Sequence, residues 1–214
     1  FTEDLSRAIG RVYAFLVDKY VRMSVNGEDV KAFNIPVGEP RKGQTAYEAF
    51  ESEGVKVRIF ATLTSFTSQN HNPKKETSGW YVACNGRLIL IADTSELTGW
   101  GIKPMPLWVP KFTSFIGIVF FESKNGLLLP WTTTKRSVNR ESMVYRKALT
   151  RMTVLARPIL SFCSRKYPAD LDQEPIEREI AKDMKPTTLA QLVRRTDSAF
   201  LIETPNQKEI KSTA

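Results

Sequence analysis

One segment of the chain alternates regularly between apolar side chains and side chains that are mostly polar. This alternation constrains the fold more than any other feature. The apolar residues are Val55, Val57, Ile59, Ala61 and Leu63, which alternate with Lys56, Arg58, Phe60 and Thr62. A period of two predicts a β-strand over residues 55–63 that turns one face towards a core. Because a strand needs partners, the chain must contain a sheet.

Asn-Gly pairs indicate where this sheet folds back on itself. Both residues of such a pair tolerate positive φ, which a two-residue type I′ hairpin turn requires. Asn26-Gly27 predicts a hairpin over residues 23–33, and Asn85-Gly86 predicts a second one between strands 80–84 and 87–93. A last strand is expected over residues 112–122. The intervening segments 34–54, 65–78 and 94–111 are expected to be loops, with one helical turn near 46–50.

Helical periodicity occurs at the start of the chain and again after the last strand. Residues 2–21 are predicted to form an amphipathic helix with Thr2 as its N-cap, and its apolar face would need a partner surface on an upstream domain. A long helix is predicted over residues 139–167, with Pro158 kinking or interrupting it. Helices at both ends of a hairpin-rich segment predict an α+β fold, in which a long helix packs on a mixed, largely antiparallel sheet.

The composition changes near residue 168. From residue 168 onwards the chain has four prolines, mixed charge and one aromatic residue, Phe200. We therefore expect an α+β domain over residues 1–167, followed over residues 168–214 by a linker or extended tail with a short helix near 188–195.

Composition excludes several classes of protein. No run of about 18 apolar residues exists, which excludes a conventional membrane-spanning helix. No signal segment opens the chain, so nothing marks it for secretion. Two cysteines, Cys84 and Cys163, and one histidine, His71, cannot complete a typical zinc site, so we expect no metal site. Buried free thiols indicate a reducing compartment, the cytoplasm. Since the chain opens on Phe1, we expect it to be a piece of a longer polypeptide.

Common nucleotide-binding and hydrolase motifs are absent, and one short segment stands out instead. Residues 130–136 read Pro-Trp-Thr-Thr-Thr-Lys-Arg and lie between a predicted strand and a predicted helix. Hydroxyl groups followed by positive charge at such a junction could bind an oxyanion. Lysine suits a terminal phosphate, because its ammonium is a compact charge with three donors. The alternative is a surface turn whose threonines cap the helix.

Positive charge concentrates in the body of the chain. The net charge is +8, and residues 1–167 hold 24 basic and 14 acidic residues, against 7 and 9 in residues 168–214. Arg140, Lys147 and Arg151 share one stripe of the predicted helix, and Arg136 precedes them. Such a stripe could contact the phosphates of DNA or RNA. Alternatively, these side chains pair with acidic residues elsewhere in the fold or keep the surface hydrated.

Three blocks of sequence resemble a known superfamily. They are GWYVACNGRLILIADTSELTGWG, PKFTSFIGIVFFES and LPWTTTKRSVN, and the resemblance extends in outline over residues 12–165. The blocks are similar to the region that follows the nucleotide-binding module in bacterial ATP-binding proteins of the GHKL type. That superfamily includes DNA gyrase, heat-shock chaperones, histidine kinases and MutL, and the chain looks closest to its microrchidia-like branch.

The resemblance implies a transducer domain with a ribosomal-protein-like β-α-β core, working with an upstream ATPase domain. In that superfamily a loop lysine reaches the γ-phosphate of ATP, and the matching position here is Lys135. Lys135 would then act in catalysis and would bind ATP together with Thr133 and Thr134. Thr133 stands where the superfamily often has glutamine, so this side chain departs from the pattern.

The ATP-binding motifs of the superfamily are absent from the 214 residues. The chain alone is therefore expected to hydrolyse no ATP, whereas its parent would be an ATPase that uses ATP and Mg²⁺. The implied protein is a bacterial, cytoplasmic homodimer that closes when ATP binds and acts on DNA, with no membrane partner. The alternative that the residues themselves leave open is a stand-alone nucleic-acid-binding or structural interaction module without ATP coupling.

Overall fold

The computed structural model describes residues 1–17, 20–38, 45–64, 77–166 and 186–188. Two α-helices and nine strands are formed there. The helices are α1 (Thr2–Val12) and α2 (Met143–Lys166). The strands are β1 (Ser24–Val25), β2 (Glu28–Asp29), β3 (Pro36–Gly38), β4 (Ala46–Ser52), β5 (Val55–Leu63), β6 (Gly79–Cys84), β7 (Arg87–Asp93), β8 (Phe115–Glu122) and β9 (Pro186–Thr188).

Five of these strands form the central sheet, in the order β4-β5-β8-β6-β7. All neighbouring pairs are antiparallel except β6 and β8, which run parallel. The predicted strand 55–63 pairs with β8 over residues 56–63, for example Ile59 opposite Val119. The α+β class, the mixed sheet and the packed long helix are therefore confirmed.

One face of the sheet is closed by α2. The helix inserts Val144, Ala148, Met152 and Ile159, each at most 1% exposed, against the apolar side chains of β5, β6 and β8. The segment between β7 and β8 closes the same face, and the Tyr145 hydroxyl of α2 donates to the Leu97 carbonyl at 2.7 Å. This is the main core of the molecule.

The opposite face is covered by residues that follow α1 and the β1–β2 hairpin. Ala14, Ile35 and Val37 pack there on side chains of the central strands such as Phe60 and Phe120. Strand β3 contributes Val37 and pairs antiparallel with β9. Residues 186–188 therefore join the body of the molecule, although they lie within the predicted linker or tail 168–214. The other residues predicted for that tail, including most of the helix near 188–195, lie outside the described residues.

The first helix is shorter than predicted. It ends at Val12 instead of residue 21, and Thr2 is its first helical residue instead of its N-cap, which is Phe1. The Gly10 carbonyl accepts a hydrogen bond from the Phe33 amide at 3.0 Å, and a Cβ on Gly10 would lie 2.3 Å from the Lys31 carbonyl oxygen. The chain after the β1–β2 hairpin thus packs on α1 near its C-terminal end, which periodicity alone does not reveal.

Residues 46–50, where a helical turn in a loop was predicted, belong to edge strand β4. The prediction was wrong because tertiary pairing with β5 overrides the weak local pattern of this segment. Strand β8 begins at Phe115 instead of residue 112, because Pro110–Phe112 forms a 3₁₀ turn.

Both predicted Asn-Gly turns are confirmed by their backbone angles. Asn26 and Gly27 have φ of 52° and 85°, and Asn85 and Gly86 have φ of 46° and 79°. Helix α2 begins at Met143, four residues later than predicted, and it continues through Pro158. The proline lies on the exposed side of the helix, where a lost backbone hydrogen bond can be replaced by water.

The connection between parallel strands differs from the β-α-β unit that the resemblance implies. Strand β7, a long loop and two 3₁₀ turns join β6 to β8, and α2 follows β8. In the described ranges no α-helix connects two parallel strands of the central sheet.

Candidate functional site

The segment between β8 and α2 closes into a narrow loop, residues 130–139, which we call the lysine loop. Trp131 and Val138 form an antiparallel bridge at its base. The Thr132 amide donates to the Ser137 carbonyl and the Asn139 amide to the Pro130 carbonyl, both at 2.9 Å. Val138 is 5% exposed and belongs to the main core. The base of the loop is therefore fixed to the core, and its tip is in solvent.

The tip presents the residues that the sequence singled out. Thr133, Thr134, Lys135 and Arg136 are all exposed. The Lys135 amide donates to the Thr132 carbonyl at 2.8 Å, and the hydroxyl oxygens of Thr132 and Thr134 lie 3.2 Å apart. The three predicted nucleotide-contacting residues, Thr133, Thr134 and Lys135, are thus brought together on one short turn.

Lys135 has an unusual backbone conformation and an aromatic partner. Its φ is 53°, in the left-handed region that non-glycine residues rarely occupy. Its side chain folds back so that Nζ lies 4.6 Å from the centroid of the Trp131 ring. Among the described residues Lys135 forms no ion pair, so no carboxylate neutralises its ammonium there. The loop therefore presents a positive charge that an oxyanion can neutralise.

A short turn links the loop to α2. The Asn139 side-chain oxygen accepts from the Glu141 amide at 3.1 Å, and the Ser142 amide donates to the Asn139 carbonyl at 3.2 Å. Residues 139–142, which were predicted to be helical, form this turn. The lysine loop is thus separated from the buried face of α2 by only a few residues.

The predicted nucleic-acid stripe divides into two parts. Arg151 pairs with Glu48 of β4, and its guanidinium carbon lies 4.9 Å from the centroid of the Phe50 ring. Lys147 Nζ also lies over Phe50, at 5.3 Å. Arg136 at the tip of the lysine loop and Arg140 just after the loop are both exposed. The C-terminal part of the stripe therefore contacts the edge strand, while the N-terminal part faces solvent.

A cleft of about 1120 Å³ lies on the other face of the sheet, at one end of β5 and β8. Its floor has alternating charge, because Lys56 stands opposite Glu51 on one neighbouring strand and opposite Glu122 on the other. Arg58 also pairs with Glu122 at 2.8 Å. No residue of the lysine loop lines this cleft. Its charges largely compensate one another, so the lysine loop is the stronger candidate for binding an anion.

The buried ionisable groups do not suit acid–base or nucleophilic chemistry. Burial raises the pKa of the Cys84 thiol to about 12. Burial also raises the pKa of both Tyr81 and Tyr145 well above the usual value. Cys84 and Cys163 are buried and take part in no disulfide, as predicted. His71 lies outside the described residues.

In the described ranges the structure contains neither a cluster of metal ligands nor a helix that could span a membrane. No group of three or more histidine, cysteine or acidic side chains is placed to hold a metal ion in that part of the chain. Neither of the two helices has the length and apolar character needed to cross a membrane.

Sequence reasoning did not identify the aromatic partners of the basic residues. The sequence predicts no contact between Trp131 and Lys135, and it places Phe50 in a segment expected to be a loop. A tryptophan four residues before a lysine in a short loop is a signal that could have indicated the first contact. The second depends on β4, which the sequence did not predict.

Comparisons with known proteins give weak matches. No protein-family model matches the chain, and no curated protein matches it. Among solved structures, the B-subunit of the DNA gyrase from Myxococcus xanthus matches with a TM-score of 0.34 and 15% identity, over 56% of this chain and 36% of that one. The 43K ATPase domain of Thermus thermophilus gyrase B, solved with an aminocoumarin, matches with a TM-score of 0.31 and 12% identity, over 85% and 44%.

The chain thus spans less than half the length of either gyrase structure, 36% and 44%. Scores this low do not establish a shared fold or a family. The residues of the lysine loop must therefore support any functional proposal by themselves.

Proposed function

We propose that this chain is the transducer part of an ATP-dependent dimerisation switch of the GHKL type. In this proposal a separate ATPase module of the same polypeptide binds ATP and Mg²⁺, and Lys135 contacts the terminal phosphate. The observation that supports it is an exposed ammonium without an ion-pair partner among the described residues, on a loop whose base is fixed to the core.

The residues at the tip fit a phosphate group. A lysine ammonium offers three donors and a full charge, and threonine hydroxyls can donate to the same oxygens. Thr133, Thr134 and Lys135 supply this set within one turn, and Arg136 adds a second charge beside it. ATP would supply the terminal phosphate, whose presence or absence distinguishes the two states of the switch.

The path from the loop to the rest of the molecule is short. Val138 lies at the base of the loop and belongs to the core cluster that also contains Val144 and Tyr145 of α2. A displacement of the tip towards a phosphate would therefore act on the start of α2. Order–disorder and rigid-body switches controlled by a γ-phosphate work through such local contacts.

In this proposal ATP-bound protomers dimerise and the dimer acts on DNA. Exposed Arg136 and Arg140 beside the loop are the residues we assign to DNA phosphates, and Lys147 extends the same surface. Arg151 would contribute less, because Glu48 already neutralises it.

The test is ATP-dependent dimerisation of the intact polypeptide. Lys135→Ala should reduce the dimer fraction formed with a non-hydrolysable ATP analogue by at least tenfold, measured by sedimentation velocity. Lys111→Ala is the matched control, since Lys111 is also exposed and lies over an aromatic ring, 5.1 Å from the centroid of Phe112. Equal dimerisation of wild type and Lys135→Ala would contradict the proposal.

A second candidate is a nucleic-acid-binding module without ATP coupling, favoured by the exposed arginines beside the loop. It predicts that the 214-residue chain shifts double-stranded DNA in gels at about 50 mM salt and much less at 200 mM, because phosphate contacts release counterions. Arg136→Ala with Arg140→Ala should weaken the shift. Absence of a shift at the lower salt would reject this candidate.

A further inference from the structure

We propose that Trp131 is a positioning residue that holds the Lys135 ammonium over its indole ring until a phosphate competes for it. This inference rests on the proposed function, since it assigns the phosphate as the competitor. It adds a residue and a resting state to the lysine loop: Trp131 would keep the charge folded back on the loop when no anion is present.

The ring is the fixed member of the pair. Trp131 forms the bridge to Val138 and is half-buried against the main core. The tryptophan is therefore held by backbone pairing and by packing, both independent of Lys135.

The lysine is the exposed member of the pair. It lies on the solvent side of the loop, and its backbone is in the left-handed region, with φ of 53°. Its ammonium contacts the π face of Trp131, 4.6 Å from the centroid. To reach a phosphate carried by another module, the ammonium would have to leave this face.

The strengths of the two contacts make this exchange feasible. An exposed cation–π contact favours the bound position by about two- to fivefold. A charge-assisted hydrogen bond to a phosphate oxygen is stronger than that. Trp131 would thus restrain Lys135 without blocking it. Removing the ring should increase the affinity for a phosphate compound by the same factor, about two- to fivefold.

The opposite effect is expected if Trp131 serves the structure alone. Loss of a half-buried ring that only supports the loop would disorder the tip and weaken phosphate binding. The sign of the change in affinity therefore separates the two roles.

The experiment uses the 214-residue chain, inorganic tripolyphosphate and NMR of the lysine ε-methylene groups. Ring current from Trp131 should shift the Lys135 resonance upfield, as Phe112 should shift that of Lys111. Tripolyphosphate should move the Lys135 resonance towards its ordinary position and leave Lys111 unchanged. Trp131→Leu should abolish the initial shift and tighten tripolyphosphate binding two- to fivefold, whereas Trp131→Phe should retain a reduced shift.

Two results would overturn the inference. One is an ordinary Lys135 resonance in the unliganded chain, or a shifted one that tripolyphosphate does not move. The other is weaker tripolyphosphate binding by Trp131→Leu while its fold, judged by the remaining spectrum, is intact. Neither result depends on ATP-dependent dimerisation, which tests the proposed function separately in the intact polypeptide.

Discussion

Trp80 and Trp131 lie in two regions of the molecule that serve different purposes. Trp80 in β6 is 0% exposed and packs edge-on against Phe115, with ring centroids 5.3 Å apart. Trp131 is half-buried in a loop and holds a lysine on its face. The same side chain thus completes a core in one place and in the other places a charge at the surface. Because the residue type is the same in both places, only the neighbours of a tryptophan indicate whether it has a role beyond packing.

The largest expected effect is the loss of unfolding free energy when each tryptophan is replaced by alanine, which should differ between the two sites. Trp80→Ala should lower the free energy of unfolding by about 3–5 kcal/mol, because it leaves a large cavity under α2. Trp131→Ala should lower it by only about 1 kcal/mol, the typical cost of a substitution outside the deep core. Urea unfolding of both variants measures this. Equal losses would show that Trp131 is as much a core residue as Trp80.

A smaller effect is expected from adding one carbon beside each ring. A Cβ on Gly117 would lie 2.3 Å from the Trp80 ring, whereas one on Gly126 would lie 3.7 Å from that of Trp131. Gly117→Ala should therefore cost about 1–3 kcal/mol through overpacking, and Gly126→Ala should stay within about 0.5 kcal/mol of the wild type. A neutral Gly117→Ala would mean that the region around Trp80 is less tightly packed than described.

The smallest expected effect is the pH dependence of stability that arises from Cys84, which lies on the same strand as Trp80. Burial raises the pKa of Cys84 to about 12, so the folded thiol stays protonated while the unfolded one begins to ionise near pH 9. The unfolded state then binds fewer protons, and stability should fall as pH rises, by about 1–2 kcal/mol between pH 8 and pH 10.

Cys84→Ala is the control for this titration. Its stability should change less over the same range, whatever its starting value. Urea midpoints at pH 8, 9 and 10 compare the two proteins. Parallel curves for wild type and variant would show that Cys84 is not the group responsible. Measurements stop at pH 10, since Tyr81 and Tyr145 also have raised pKa values and an unfolded tyrosine, whose pKa is about 10, is half ionised there.

Local signals in the sequence predicted local structure well. The alternation in β5 and the turn at Asn85-Gly86 are confirmed, because both depend on backbone preferences within a few residues. The apolar stripe of α2 is confirmed as well, with Val144, Met152 and Ile159 all in the core.

Long-range pairing was not predictable in the same way. Strand β4 has half-buried side chains on both faces, so its sequence shows no clear alternation. The β3–β9 pair joins Val37 to Thr187, far apart in the chain, and neither strand is longer than three residues.

The candidate site was predicted in part. Residues 130–136 were singled out from their residue types and from their position between a strand and a helix, whereas the roles of Thr133, Thr134 and Lys135 towards ATP were implied by the resemblance. The contact with Trp131 was not predicted, because it depends on how the chain between Trp131 and Val138 closes into a narrow loop. The partners of Arg151, Glu48 and Phe50, were missed together with β4.

The central claim is that the Lys135 ammonium contacts the terminal phosphate of ATP. An ATP derivative with an acyl group on its terminal phosphate transfers that group to a nearby lysine amine, and ATP is released. With the intact polypeptide, mass spectrometry should find the acyl group on Lys135, in an amount that excess ATP strongly reduces. ATP-sensitive acylation of other lysines, with Lys135 unmodified, would contradict the account.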